Sequence, residues 1–142
     1  MDVRFATASN RDRVVSLLRE SHAERGYQYP FQAAYAVKLF EQHLAHSCAC
    51  VLLLGEPAIG VLMAVAIEHP FGMGRVSSET LWYISQSSRG RGGFKMLDAY
   101  EEWARSQRCK YAGIVSLKDN DVSKLYERRG YSAVETHFMK PL

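Results

Sequence analysis

The sequence predicts an α/β (α+β) fold, a mixed and mostly antiparallel sheet flanked by helices. Three observations lead there. Apolar residues recur with a period of two in some segments and near 3.6 in others, and the segments follow one another as β-α-α-β-β-β-α-β-α-β. Three strand-like runs in succession lie in the middle of the chain, which requires antiparallel pairing there. A glycine-rich turn, Ser88-Arg89-Gly90-Arg91-Gly92-Gly93-Phe94-Lys95-Met96-Leu97, then joins the last of these runs to a strongly amphipathic helix.

A chain of 142 residues, 47% of them hydrophobic, has the material for one sizeable core. No internal repeat, low-complexity tract or linker divides it, so residues 1–142 are read as a single domain.

Val3 to Thr7 alternates as a short strand, and Ser9-Asn10-Arg11-Asp12 is a capping signal for a helix carrying Val14, Leu17 and Leu18. Gly26-Tyr27-Gln28-Tyr29-Pro30 interrupts, after which Ala33, Val37, Phe40 and Leu44 mark a second helix. Cys48 to Leu54 and Ala58 to Ile67 form a hairpin around Gly55-Glu56-Pro57, its second strand apolar on both faces. His69 to Gly74 breaks the pattern before a strand over about Val76 to Ile84. Beyond the glycine turn, Met96, Leu97, Tyr100, Trp103 and Ala104 form an apolar stripe on a helix that ends near Arg108. Tyr111 to Leu117 is a further strand. Asp119-Asn120-Asp121 caps a short helix, Val122 to Arg129, stopped by Gly130, and Tyr131 to Met139 closes the chain as one or two strands.

The net charge is +3, and the basic residues are scattered apart from the glycine turn, so nucleic-acid binding is unsupported. The N-terminal residues lack a signal peptide's apolar region, and no apolar run approaches the roughly 18 residues of a membrane span. Three cysteines, an odd number, make no disulfide framework. A cytoplasmic protein without membrane contact is expected. His43, His46, Cys48 and Cys50 could supply four zinc ligands, but two cysteines alternating into an apolar strand and histidines at a helix end favour packing, so no metal is expected. Tyr100 and Trp103 are likewise core residues rather than a base-stacking platform.

The glycine turn has the make-up of a phosphate cradle. Glycines let the backbone turn and expose its amides, the helix start aims unpaired amides and a positive dipole end at the same point, and Arg89 and Arg91 add charge. It is neither nucleotide-binding pattern. The last glycine of Gly-x-Gly-x-x-Gly is replaced by Lys95, and Gly-x-x-x-x-Gly-Lys-Ser/Thr is absent. Its place after antiparallel strands also differs from the first turn of a βαβ unit.

Arg89-Gly90-Arg91-Gly92-Gly93-Phe94 resembles the Arg/Gln-x-x-Gly-x-Gly/Ala motif of the GNAT superfamily of acyl-CoA-dependent N-acyltransferases, departing from it at Phe94. Ile84 stands where that family's preceding strand ends in an aliphatic residue. Downstream, Leu125-Tyr126-Glu127-Arg128-Arg129-Gly130-Tyr131 is similar to the family's Leu-Tyr-Glu-Lys-x-Gly-Phe segment. The two motifs cover about Glu79 to Tyr131; the N-terminal half fits by the order of its elements.

The resemblance implies acetyl transfer from acetyl-CoA, as co-substrate, to an amine acceptor by direct attack in a ternary complex. It implies that Arg89, Gly90, Arg91, Gly92, Gly93 and Phe94 hold the coenzyme pyrophosphate and that Ile84, Ser85 and Gln86 pair with the pantetheine arm. Tyr126 would be the general acid and Glu79 the base, with His69 and His137 as rival bases and water relays an alternative. Strict alternation puts Glu79 in phase with Leu81 and Tyr83, opposite Thr80, Trp82 and Ile84, unless a bulge intervenes. The acceptor, a small molecule or a protein, stays open; Gly26 to Pro30 and His69 to Arg75 are the loops expected to shape its pocket. A homodimer is compatible with the sequence. An alternative is a catalytically silent acyl-CoA-binding or protein-interaction module on the same fold.

Overall fold

The computed structural model describes residues 1–117 and 120–142. Its centre is a five-stranded sheet in the order β1-β2-β3-β4-β5, formed by β1 (Val3–Phe5), β2 (Ala49–Leu54), β3 (Gly60–Glu68), β4 (Arg75–Ile84) and β5 (Cys109–Gly113). The first four strands pair antiparallel. β5 lies parallel to β4 because α3 (Arg91–Ser106) carries the chain across the sheet between them. The remaining helices are α1 (Arg11–Arg25), α2 (Ala33–Ala45) and α4 (Ser123–Arg128).

β2 and β3 are apolar on both faces because both faces are covered. Val51, Leu53, Val61 and Met63 pack with Val14, Leu17 and Leu18 of α1 and Phe40 of α2. Leu52, Leu54, Leu62 and Ala64 pack with Met96, Tyr100 and Trp103 of α3. Burying one such side chain contributes roughly 1.5–3 kcal/mol, so these two layers dominate the stability. α1 ends where Gly26 takes a left-handed φ of 65°. Half-buried Glu20 on this helix accepts a hydrogen bond from Ser85.

Several sequence expectations shift. The buried stripe of α2 is Ala36, Phe40 and His43, with Val37 and Leu44 only partly covered. His43 is held at both ring nitrogens, Nδ1 2.9 Å from the Leu39 carbonyl and Nε2 2.8 Å from Thr80 Oγ1. Of the cysteines considered with it as ligands, Cys48 is exposed and Cys50 buried. β5 starts earlier and stops earlier than Tyr111 to Leu117. It ends at Gly113, whose carbonyl accepts a hydrogen bond from Tyr100 OH, and two residues further on the Val115 N–H donates to the Glu79 carboxylate. The N-cap of α4 is Val122, whose apolar side chain cannot cap; Asp121 before it accepts the Ser123 N–H at 2.9 Å, whereas the expected contribution of Asp119 lies outside the described residues.

The closing strand over Tyr131 to Met139 does not form. Tyr131 donates its amide to the Tyr126 carbonyl, finishing α4, and among the described residues the segment beyond it joins no ladder. Val134, Phe138 and Met139 are each more than 80% exposed. Alternation and β-branched residues suit a strand, but a strand needs a hydrogen-bonding neighbour and a surface to pack on.

Candidate active site

β4 and β5 are paired only over Arg75 to Ser78 and Cys109 to Gly113, after which they diverge. Among the described residues, β4 continues to Ile84 with β3 on one side and no partner strand on the other. The resulting splay exposes a length of unpaired β4 edge, and the residues around its apex are those the sequence singles out.

Glu79 is turned into this region by a bulge. The register passes from Met63↔Leu81 to Ala64↔Glu79, leaving Thr80 as an extra residue on β4. Thr80 points to His43 of α2, and Leu81 and Tyr83 pack on the same α1–α2 side. Glu79 follows Ser77, which meets Tyr100 of α3, and so shares the α3 side with Trp82 and Ile84. Strict alternation would have put it with Leu81 and Tyr83; the bulge reverses that phase while keeping Glu79 opposite Thr80.

The Glu79 carboxylate accepts the Val115 N–H at 2.8 Å, bridging the splay. Tyr126 OH donates to the carbonyl of the same residue at 2.7 Å. Val115 therefore fixes both candidate catalytic side chains from one backbone residue, which sequence reasoning did not single out. Burial raises the Glu79 carboxyl to about 7, against the lowering effects of the Val115 N–H and the charge of Arg25. The Tyr126 phenol is pushed well above its ordinary range, first by burial and then by the Glu79 charge, so it keeps its proton. Its ring stacks on Trp82 at 6.3 Å and tilts against Tyr131 at 5.8 Å. Tyr131 is anchored by its OH to Glu101 at 3.0 Å.

The glycine turn opens α3 as expected. Gly90 sits at φ 140° and ψ −129°, backbone that a side chain would strain. A Cβ on Gly92 would lie 2.5 Å from Leu54 Cδ2, so this glycine lets the helix start press onto the sheet. Gly93 packs against Ile84 and Trp82 and returns its amide to the Gly90 carbonyl. The first-turn amides of Arg91 and Gly92 have no backbone acceptor outside the helix among the described residues. Phe94 points outward from the first turn, 44% exposed, and fills no part of the core.

The two arginines have different surroundings. Arg89 donates Nε to the Ile84 carbonyl at 3.0 Å, places one terminal nitrogen 2.7 Å from both oxygens of Glu24, and lies over the Tyr83 ring. Arg91 is exposed and has no hydrogen-bond or ion-pair partner among the described residues. Ser85 donates its amide to the Ile59 carbonyl and its hydroxyl to Glu20, while Gln86 opens a short 3-10 turn. The Glu20 and Glu24 contacts were not anticipated. The available signal was two carboxylates four residues apart on α1, but their partners are 65 residues away in sequence.

Of the rival bases, His69 sits in the β3–β4 loop with Nδ1 accepting from the Phe71 amide, and His137 lies in the exposed segment after α4. Among the described residues no group of three or more His, Cys, Asp or Glu side chains is arranged to hold a metal ion. No helix of the described residues is long and apolar enough to cross a membrane.

A family model described as the acetyltransferase (GNAT) family matches residues 11–131. No curated protein sequence matches the chain. Among solved structures, a predicted acetyltransferase with acetyl-CoA from Clostridium acetobutylicum is similar at a TM-score of 0.81 and 19% identity, over 99% of this chain and 95% of that one. An aminoglycoside antibiotic 6'-N-acetyltransferase from Acinetobacter haemolyticus aligns at a TM-score of 0.75 and 19% identity, over 100% and 99%. A candidate acetyltransferase from Arthrobacter sp. FB24 aligns at 0.79 and 26% identity, over 100% and 92%.

Proposed function

Because this chain belongs to the acetyltransferase (GNAT) family, we propose that it moves the acetyl group of acetyl-CoA to an amine acceptor by direct attack in a ternary complex. The observation that carries the reading is the pairing of Glu79 and Tyr126 on the two backbone groups of Val115 at the mouth of the β4–β5 splay. One carboxyl sits near 7 and one phenol stays protonated beside it, which is an acid and a base with separated affinities for the proton.

In this reading Glu79 takes a proton from the acceptor ammonium. The freed nitrogen attacks the thioester carbonyl, the C–N bond forms and the C–S bond breaks, Tyr126 passes its proton to the departing thiolate, and the second proton that the nitrogen sheds in becoming an amide returns to the Tyr126 phenolate. Backbone donors on the unpaired β4 edge would stabilise charge on the carbonyl oxygen. The pantetheine arm would run along Ile84, Ser85 and Gln86, and the pyrophosphate would rest at Arg89 to Phe94. The first-turn amides of Arg91 and Gly92 and the exposed Arg91 side chain support that placement. Outward-pointing Phe94 is compatible with it.

The acceptor pocket would be shaped by the α1–α2 loop. There Tyr27, Tyr29 and Phe31 form an aromatic cluster with His22 of α1, Tyr27 and Tyr29 stacked at 4.9 Å. We read residues 1–142 as one acetyltransferase domain acting without a metal in the cytoplasm, on a small-molecule or protein amine and as a monomer or homodimer.

Thermal unfolding with and without acetyl-CoA tests the coenzyme assignment. Ligand at about a hundred times its dissociation constant stabilises by roughly 2.7 kcal/mol. No shift at millimolar coenzyme overturns it, and binding without turnover over a broad amine panel would instead favour a silent binding module.

A further inference from the structure

The glycine turn is held from the opposite side of the sheet by two carboxylates of α1. Glu20 and Glu24 are four residues apart and so lie on one helix face. Glu20 accepts from Ser85 Oγ at 2.8 Å, at the residue where β4 has just ended. Glu24 accepts from Arg89 at 2.7 Å on both oxygens, at the residue before Gly90. Between these points the chain makes one 3-10 turn, Gln86–Ser88, closed by Ser88 N–H onto the Ser85 carbonyl. Arg89 also reaches back to the Ile84 carbonyl and lies 5.6 Å from the Tyr83 ring centre. Its guanidinium is thereby committed on three sides to the protein, and its side chain is only 34% exposed.

We propose that Glu24, assisted by Glu20, is a positioning residue that fixes the glycine turn for the coenzyme pyrophosphate by holding Arg89, leaving Arg91 as the arginine that meets the phosphates. This rests on the acetyl-CoA reading above. Charge-assisted contacts of this kind set the direction of a planar guanidinium, and with it the backbone from Ile84 to Gly90. A turn fixed before the ligand arrives loses less freedom on binding.

The sign of one substitution separates this role from simple electrostatics. Glu24 is a negative charge near the turn that would receive an anion, so Coulomb's law alone predicts that Glu24→Gln tightens coenzyme binding. Positioning predicts the reverse. For Glu24→Gln we expect the Kd and KM for acetyl-CoA to rise about tenfold, with kcat at saturation within about twofold of wild type. Amide exchange should quicken at Arg89 to Gly93 and stay unchanged in β2 and β3. Glu24→Asp, which keeps the charge on a shorter stem, should fall between the two. Arg91→Ala should weaken coenzyme binding in a salt-dependent way without altering exchange in the turn.

Glu24→Gln binding acetyl-CoA as tightly as wild type, or more tightly, overturns the inference and leaves the acetyl-CoA reading intact. A uniform rise in exchange across the sheet overturns it too, since that marks a general loss of stability. Wild type that fails to bind acetyl-CoA removes both readings together.

Discussion

Replacing Glu79 by glutamine changes little in shape, because a glutamine Oε1 can still accept the Val115 N–H, but it removes a charge that the fold disfavours. The carboxyl is raised from 4.5 to about 7, chiefly by burial. Between those values the folded protein holds a proton that the unfolded chain has released, so wild-type stability falls as pH rises through this window. The variant has no such loss. At about 1.4 kcal/mol per unit the full shift corresponds to roughly 3 kcal/mol, and partial exposure of the side chain brings the expected difference to about 1–2 kcal/mol. Glu79→Gln should therefore match wild type near pH 4, below the unfolded value of 4.5, and exceed it by that amount above pH 8. Urea unfolding of both proteins at pH 4, 5, 6, 7 and 8 reads the difference directly. The same substitution should remove a rise in kcat/KM centred near pH 7. A stability difference that does not change with pH refutes the burial argument. An activity profile that keeps its limb in Glu79→Gln removes Glu79 as the base and turns attention to His69 or His137.

Three further outcomes are expected. Tyr126→Phe should lower kcat by roughly a hundredfold with little change in the KM for acetyl-CoA, and should cost about 1 kcal/mol of stability because the Val115 carbonyl loses its donor; steady-state kinetics and unfolding curves measure the two. Gly92→Ala should destabilise by about 1–3 kcal/mol, since its Cβ meets the fully buried Leu54 at 2.5 Å, and a melting temperature equal to wild type would contradict this. Phe138→Ser should leave stability within about 0.5 kcal/mol, because that side chain is 86% exposed and the segment joins no strand; a larger loss by denaturant unfolding would mean that the segment packs.

Much of this protein is set by local pattern. The two apolar faces of β2 and β3, the stripe of α3 and the glycine turn before it are legible because each depends on residues a few positions apart. For the same reason the motifs around Arg89 and Tyr126 identify the family, and the structure puts Tyr126 beside Glu79 through the single residue Val115. The closing strand fails by the complementary logic. Tyr131 to Met139 carries a strand's alternation, but nothing within the segment supplies the neighbouring backbone that a ladder needs.

What tertiary structure alone decides are the phases and partners. The side of the sheet that Glu79 occupies depends on an extra residue at Thr80, and a bulge is a mismatch between two strands rather than a property of either one. The splay beside it arises where Gly113 and Val115 turn their backbone groups to Tyr100 and Glu79. Arg89, by sequence a charge beside a phosphate cradle, becomes in the fold the partner of Glu24. That choice is made by which carboxylate the folded chain brings within hydrogen-bond reach, and no spacing along 65 residues of sequence encodes it.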